Sequence, residues 1–519
     1  MLKGVLTVGG WTMASRLLGF ARDVLIAALA GTGPVADAFF VALRLPNLFR
    51  RLFGEGAFNA AFVPEFSGIL ATGGHDAAKR FAQEAIAVMA FWLLLLTVLG
   101  EVFMHPLMAL LAPGFESDAA KFTLVVQLAR ITFPYLFLIC LTALLSGVLN
   151  GLDRFAAAAA APMVFNAVSI AAMLLLTPYV PTVGHSLAWG VTVSGVLQLA
   201  LLVWAVNRAG MPMRVPRPRL TPAMRKLFRR MAPGLVGAGV TQLNLAVDVV
   251  IVTLLPAGSA SLLYYADRVN QLPLGVIGTA VGTALLPTLS RQARSGDVAA
   301  AQDSLRRALE YALFLTLPAA LALGVAGTPI MEVLFGRGAF GHDAAVLSSQ
   351  SLAAYALGLP AFVMVKVLVP AFFAHGETGT PVKVGLGAIG LNLCLNLLFM
   401  VPLQHVGPAL ATSVSAIVNV LVLGVLLSRR KRLVIGRPTR LRLLRMALAA
   451  LAMATTLWFA KDPLFALAAG RFGLRWVALF TLVSLGLIVY AAAAQLLGAV
   501  DVRQALGALR RRGATVAQG

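Results

Sequence analysis

The sequence predicts an all-α polytopic membrane protein, and two observations lead to that fold class. Of the 519 residues, 60% are hydrophobic and only 12% are charged, a composition far more apolar than that of soluble domains. Apolar stretches of helical length recur along the whole chain, and about 20 such residues suffice to cross the hydrocarbon of a bilayer. We therefore predict about 14 transmembrane helices.

The predicted helices differ in length, and several are long enough to tilt or to extend beyond the bilayer. The first of them is interrupted by Arg16 and Arg22, so we interpret it as a retained helix and not as a cleaved signal peptide. The approximate bounds are 3–30, 35–65, 81–111, 121–149, 156–177, 186–206, 231–255, 261–289, 308–326, 345–374, 381–400, 409–427, 441–460 and 476–497.

The distribution of basic residues predicts the orientation of these helices. Of 42 lysines and arginines, 29 lie near the N-terminus, in the even-numbered connections or in the C-terminal tail, whereas the odd-numbered connections hold four. By the positive-inside rule, both termini are then cytoplasmic. The basic segments 217–230 and 429–445 act as topology signals that contact anionic lipid headgroups. This placement, despite a net charge of +22, argues against a nucleic-acid partner.

The two halves of the chain are in weak register at an offset of about 224 residues. Arg44 aligns with Arg268, Pro134 with Pro360, and segment 183–191 with segment 406–414. Six helices per repeat leave the halves in the same orientation, a design of alternating-access transporters. The predicted regions are an N-lobe at 1–207 (helices 1–6), a basic cytoplasmic loop at 208–230, a C-lobe at 231–428 (helices 7–12), helices 13–14 at 429–500 and a basic cytoplasmic tail at 501–519.

The sequence contains no enzyme motif in the structural context that such a motif requires. GLGAIG at 385–390 matches a dinucleotide fingerprint, but it lies inside a predicted helix with no preceding strand. Gly278 and Gly282 form a small-residue pair that we interpret as a helix-packing face. The histidines are scattered, and no zinc, phosphate-loop or nucleophile motif is present. We predict no catalytic residues and no enzymatic activity.

Charged side chains inside the predicted helices are the main functional signal, because each costs at least ~2.5–3.5 kcal/mol on insertion scales. In helices 1, 2 and 8 arginines exceed acidic residues, so internal ion pairs such as Arg22 with Asp37 or Arg268 with Asp267 leave a surplus of guanidinium. That surplus predicts an anionic cargo, and arginine suits a phosphate. Helical periodicity places Arg51, not Arg50, on the charged face. The candidates are Arg16, Arg22, Asp23, Asp37, Arg44, Arg50, Arg51, Glu55, Asp267, Arg268 and, in helix 10, Lys366.

A second group of polar residues lies in predicted helices 7, 11 and 12. Asp248 offers one carboxylate, Asn392 and Asn396 are four residues apart, and Thr412 adds a hydroxyl. These oxygens predict a hard-cation site such as one for Na⁺. Hydrogen bonding between helices is an equally good interpretation of the same residues.

Several segments resemble the MurJ (MviN) family of lipid II flippases, of the multidrug/oligosaccharidyl-lipid/polysaccharide exporter superfamily. They are SRLLGFARD, DAFFVALRLPNLFRRLFGEGAFNAAFVP, RITFPYLFLI, YYADRVNQLPLGV, ALLPTLS and VKVLVPAFFAHGETGTPVKV. The resemblance implies fourteen helices in two six-helix lobes, with a terminal pair lining a groove for a lipid tail.

The resemblance also implies functional residues. Family positions important for transport match Arg16, Arg22, Asp37, Arg50 and Arg268, so it favours Arg50 over Arg51. A sodium site between helices 7, 11 and 12 would involve Asp248, Asn392, Asn396 and Thr412, although Asn396 stands where a second carboxylate is expected.

The function implied is translocation of lipid II from the inner to the outer leaflet of the bacterial cytoplasmic membrane. No cofactor is required, the membrane potential contributes, and Na⁺ is a candidate coupling ion. The expected partners are lipid II and membrane lipids, for a monomer that acts alongside the cell-wall synthesis machinery. A cation-coupled drug exporter would need cavity carboxylates, and a membrane scaffold or glycosyltransferase would need large extramembrane domains or an acidic metal motif.

Overall fold

The computed structural model describes residues 2–51, 57–295, 297–468 and 471–499, and every regular element within these ranges is a helix. Ten helical segments in these ranges are long and apolar enough to cross a membrane, which confirms the all-α membrane class. The α-helices are α1 (Leu2–Ala30), α2 (Pro34–Phe49), α3 (Ala57–Val102), α4 (Met104–Leu111), α5 (Ala119–Thr132), α6 (Tyr135–Gly151), α7 (Ala156–Leu176), α8 (Val183–Arg208), α9 (Pro222–Thr253), α10 (Ser259–Arg294), α11 (Val298–Val325), α12 (Gly327–Phe335), α13 (His342–Phe373), α14 (Gly379–Leu403), α15 (Val406–Arg429), α16 (Arg437–Leu467) and α17 (Phe472–Leu496).

The region predicted as helix 2, a loop and helix 3 is divided differently in the structure. α2 ends at Phe49, and α3 then continues through the loop expected at 66–80. Its helical path is interrupted only at Gly74, where φ is 75° and ψ is −174°. Phe62 stacks on Phe66 at 5.7 Å and on Phe81 at 5.6 Å, so aromatic packing joins the two parts of α3 across that break.

Helix 4, predicted as continuous, contains a proline break. Phe133 and Pro134 keep helical backbone angles, but the proline has no amide hydrogen to donate, and the hydrogen-bonded helix is divided into α5 and α6. The basic loop predicted at 208–230 is also shorter than expected. α9 already begins at Pro222, because Thr221 caps it by accepting a hydrogen bond from the Met224 amide.

Helix starts recur along the chain with a constant spacing. α4 begins at residue 104 and α12 at 327, α5 at 119 and α13 at 342, α7 at 156 and α14 at 379, and α8 at 183 and α15 at 406. The offset is 223 residues in all four pairs. Two short helices, α4 and α12, occupy matching places, so the duplication seen weakly in the sequence is present in the order of the elements.

The chain forms two compact units. The first consists of Met1–Ser261 together with Arg337–Phe340, and the second of Leu262–Gly336 with Gly341–Gly519. In the first unit α1 packs on α7, where the Asn166 amide donates to the Ser15 carbonyl at 2.9 Å. In the second unit α13 packs against α11 and α15, and α16 pairs with α17.

Candidate functional site

Arg22, one of the predicted arginines in the first unit, is held in place by a carboxylate and an aromatic ring. Its Nε and Nη2 atoms donate to Asp23 Oδ1 at 3.2 and 2.7 Å, and its guanidinium lies 5.3 Å from the centre of the Phe165 ring. Only 13% of the Arg22 side chain is exposed. The neighbouring carboxylate and the α7 aromatic ring therefore hold the guanidinium in a defined orientation. The partner is Asp23, whereas the sequence suggested Asp37 as an example.

Asp37 is buried and fully engaged by groups of the first unit. One carboxylate oxygen accepts from Lys121 Nζ at 3.0 Å and from the Gly258 amide at 2.6 Å. The other accepts from the Ser261 amide and the Ser261 hydroxyl, both at 2.9 Å. Asp37 thus joins α2 to α5 and caps the first turn of α10. Contact of Asp37 with a substrate remains a prediction.

Arg16 and Arg44 differ from these buried residues. Both side chains are exposed, and neither forms a hydrogen bond or ion pair with another residue in the described ranges. Arg16 lies on α1 about one and a half turns before Arg22, and Arg44 lies on α2 about two turns after Asp37. These two guanidinium groups are exposed positive charges of the first unit, and their contact with a substrate stays a prediction.

The arginine pair at the end of α2 is only partly described. Arg50 keeps helical backbone angles and donates from Nε to Asn47 Oδ1 at 3.2 Å. It is half-buried, whereas Arg51 is exposed. Glu55, predicted as a secondary candidate, lies outside the described residues. Which of the two arginines contacts a substrate therefore stays a prediction.

In the second unit Arg268 pairs with an aromatic side chain. Its Nη2 donates to the Tyr264 hydroxyl at 2.8 Å, and the guanidinium lies 4.8 Å from the Tyr264 ring centre. The Arg268 side chain remains exposed. Asp267 accepts from Gln271 Nε2 at 3.3 Å, on its own helix. Tyr264 was not singled out in the sequence, although its position four residues before Arg268 places both on one face of α10.

Lys366 of α13 is an exposed cation that lies against Gly278 of α10. A Cβ atom at Gly278 would come within 2.8 Å of Lys366 Nζ and 3.1 Å of its Cδ. At this position the glycine therefore accommodates a lysine side chain, where the sequence suggested helix packing. No hydrogen bond or ion pair of Lys366 occurs within the described ranges.

The predicted cation ligands belong to different units. In the second unit Asn396 Nδ2 donates to Asn392 Oδ1 at 3.0 Å, and Asn392 Nδ2 donates to Thr412 Oγ1 at 3.4 Å, which links α14 to α15. In the first unit Asp248 accepts from Asn244 Nδ2 at 3.5 Å. Within the described residues, no cluster of three or more His, Cys, Asp or Glu side chains exists that could hold a metal. An interhelical hydrogen bond of the kind considered as an alternative is present between Asn392 and Thr412, and cation binding by these residues stays a prediction.

An apolar cavity of about 380 Å³ lies between α11, α16 and α17 of the second unit. Its lining includes Phe314, Pro318, Leu457 and Leu482. Tyr490 forms one wall and donates its hydroxyl hydrogen to the Phe314 carbonyl at 2.8 Å, so its polar atom is satisfied and the ring faces the cavity. The chemistry of this cavity suits a hydrocarbon chain.

Residues that the sequence did not identify complete the site. Lys121, Phe165 and Ser261 are not among the residues that the sequence predicted. An apolar helix start carrying a lone lysine was the available signal for Lys121, because a buried cation requires an anionic partner. Periodicity gives no such signal for Phe165.

Comparison with known proteins relates these features to one family. A family model described as lipid II flippase MurJ matches residues 26–472. A probable lipid II flippase MurJ of Rhizobium tropici is 45% identical over 438 residues, covering 84% of this chain and 82% of the relative. Lipid II flippase MurJ of Burkholderia cenocepacia is 36% identical over 439 residues, covering 83% and 84%.

Solved structures give the same relation at the level of the fold. A lipid II flippase MurJ in an inward closed conformation matches with a TM-score of 0.79 and 26% identity, covering 95% of this chain and 98% of that one. An inward-facing multidrug transporter of the MATE family matches with a TM-score of 0.66 at 13% identity, which supports the fold alone.

Proposed function

This chain belongs to the MurJ family of lipid II flippases, and from that premise we propose that it translocates lipid II across the bacterial cytoplasmic membrane by alternating access. The cargo is a polyprenyl pyrophosphate that carries the peptidoglycan precursor, and it moves from the inner to the outer leaflet. Translocation forms and breaks no covalent bond, so the protein acts as a transporter and not as an enzyme.

The observation that carries this proposal is the exposed positive charge on α1, α2 and α10. Arg16, Arg44 and Arg268 are exposed, and within the described ranges Arg16 and Arg44 have no carboxylate partner. Two phosphates of a pyrophosphate supply the anion that such guanidinium groups bind, and paired N–H donors give them a fixed geometry. We propose that Arg22 and Arg50 complete this set.

The membrane potential favours the direction of transport. Moving about two negative charges outward across ~100 mV, inside negative, contributes roughly 4–5 kcal/mol. The polyprenyl tail stays in hydrocarbon during this movement, and the apolar cavity between α11, α16 and α17 has the lining that such a tail requires. The two parts of the lipid thus match two chemically different surfaces of the protein.

Arginine substitutions test the proposal. We expect Arg22→Ala or Arg268→Ala to abolish lipid II translocation in proteoliposomes. Neither variant should rescue the growth of a flippase-depleted strain, although both insert normally into the membrane. Arg307→Ala is the matched control, since that arginine is exposed and pairs with Asp303 on α11. Translocation at the parent rate by either cavity variant would refute the pyrophosphate contact.

We propose Na⁺ as a coupling ion, with Asp248 as the charged ligand and Asn392, Asn396 and Thr412 as neutral ones. The expected result is a melting temperature that rises with NaCl but not with choline chloride, and a rise that disappears in Asp248→Asn. If the melting temperature of the parent protein does not depend on the sodium concentration, the result would contradict the site.

We propose the following organisation in the membrane. Fourteen helices form an N-lobe (1–207), a C-lobe (231–428) and a terminal pair (429–500), with the basic loop 208–230, the tail 501–519 and both termini in the cytoplasm. The protein acts as a monomer with membrane lipids around it and supplies lipid II to the cell-wall synthesis machinery. This number is supported by the ten membrane-length segments, to which the proposal adds α1, α2, α9 and α10.

A further inference from the structure

Two glycines in the first unit pack directly on the backbone at a helix end. Gly338 lies in the connection between α12 and α13, and a Cβ atom there would come within 2.2 Å of the Ala28 carbonyl oxygen. The next residue, Ala339, donates its amide hydrogen to the same oxygen at 2.8 Å. Conversely, a Cβ at Gly31 would meet the Ala339 carbonyl oxygen at 2.5 Å. Two backbone segments are therefore interlocked without intervening side chains.

The second contact has the same form. Gly114 lies in the connection between α4 and α5, and a Cβ atom there would come within 2.1 Å of the Thr253 carbonyl oxygen. Thr253 is the last residue of α9, as Ala28 belongs to the last turn of α1. Carbonyls in the last turn of a helix lack intrahelical donors, so a close backbone approach is possible at both places.

These contacts correspond to each other in the duplicated chain. Gly114 and Gly338 are 224 residues apart, and each is followed within two residues by a buried phenylalanine, Phe115 or Phe340. The contacted residues, Ala28 and Thr253, are 225 residues apart. In each repeat, the glycine lies in the connection that follows the short helix, α4 or α12. It contacts the end of the first helix of the other repeat, which is α9 for Gly114 and α1 for Gly338. We call the two contacts the glycine clamps.

A backbone contact of this kind is suited to repeated formation and release. It fixes no long side chain, so its formation costs little rotamer entropy, and it separates no ion pair when it opens. The Asp37 network nearby is different, because its buried charges would lose their partners. Glycine is required at both positions, since any side chain would occupy the space of a carbonyl group.

We propose that the glycine clamps form a paired latch that holds the outward ends of α1 and α9 in the closed state and releases both ends together during transport. This inference rests on the proposed alternating-access function and on the proposed orientation of the helices. It assigns a positioning role to Gly114 and Gly338, which do not contact the substrate.

Serine substitutions at three glycines test the latch. Gly114→Ser and Gly338→Ser place a Cβ in the clamps, whereas Gly341→Ser, the matched control, points into open space at the start of α13. We expect at least a tenfold loss of lipid II translocation for either clamp variant, with lipid II still bound in native mass spectrometry, and less than a twofold change for the control. Normal translocation by Gly114→Ser or Gly338→Ser would overturn the latch.

Hydrogen exchange provides a readout that a local packing defect would not reproduce. The Ala339 amide is hydrogen-bonded in the clamp formed by Gly338, and we expect Gly114→Ser to accelerate its exchange although Gly114 belongs to the other clamp. Unchanged Ala339 exchange in a folded Gly114→Ser variant would overturn the pairing.

The unmodified protein supplies an independent measurement if the variants do not fold. In nanodiscs, adding lipid II is expected to accelerate exchange in segments 112–116 and 336–340 together. Acceleration in one segment alone, or in neither, would overturn the latch. Failure of the unmodified protein to translocate lipid II would refute the proposed function instead, because the exchange measurement does not depend on transport.

Discussion

Burial distinguishes two pairs of charged residues in the first unit. Asp37 and Lys121 are buried and paired, whereas Arg16 and Arg44 are exposed and have no such partner in the described ranges. The sequence predicted that charges would occur in these helices, because their positions are visible in it. It did not predict the pairing of Asp37, because that depends on how α5 packs against α2 and on where the turn before α10 lies.

The Asp37–Lys121 pair leads to a stability prediction. Lys121→Met leaves a buried carboxylate without its cation, and we expect the free energy of unfolding to fall by about 3–5 kcal/mol. Adding Asp37→Asn should recover part of that loss, because the amide is neutral and its oxygen still accepts from the Ser261 amide. Thermal or denaturant unfolding in one detergent measures both variants.

The control for this prediction is an exposed lysine whose carboxylate partner has a second cation. Lys226 donates to Glu65 at 2.7 Å with 54% of the lysine side chain exposed, and Glu65, which is 10% exposed, also pairs with Arg230, so the loss of this exposed lysine costs about 0–1 kcal/mol. Lys226→Met should therefore change stability little. Equal destabilisation by Lys121→Met and Lys226→Met would contradict the role assigned to burial.

The helices themselves were largely predictable, whereas the path of α3 was not. Hydrophobic length located the helices, and the break before Pro134 follows from a proline visible in the sequence. The continuation of α3 through the expected loop was missed because segment 66–80 is polar and contains Gly73 and Gly74. Only one of these two glycines has a backbone conformation outside the helical region, and the aromatic stacking around Phe62 maintains the packing.

Gly74 gives a prediction for α3. Its φ of 75° is unfavourable for residues with a side chain, so Gly74→Ala should destabilise the protein by about 1–2 kcal/mol although nothing lies within 4 Å of the added Cβ. Gly68→Ala is the matched control, since it has equal space but helical geometry, and it should stabilise by about 0.5–1 kcal/mol. Melting temperatures that change in the same direction would show that α3 does not break at Gly74.

The duplication of the whole molecule is clearer in the structure than in the sequence. Matching residues such as Arg44 and Arg268 are few, and each match alone is weak. Helix boundaries preserve the offset better than side chains do, because the two halves must form similar helices while their surfaces take different roles. The glycine clamps show the conserved backbone and the changed side chains together. Their backbone contacts are repeated in both halves, whereas Pro113 in one half has Arg337 as its counterpart in the other.

The asymmetry of basic residues makes a prediction for the whole molecule. In a variant in which Cys140 and Cys394 are replaced, single cysteines at Ser117, between α4 and α5, and at Asn207, at the end of α8, are both exposed in the structure. Because basic connections stay in the cytoplasm, a membrane-impermeant maleimide added to intact cells should label Ser117→Cys but not Asn207→Cys. Permeabilised cells should show labelling at both positions, which controls for reactivity. Labelling of Asn207→Cys in intact cells would place the basic loop after α8 outside and would reverse the direction of transport inferred from the charges.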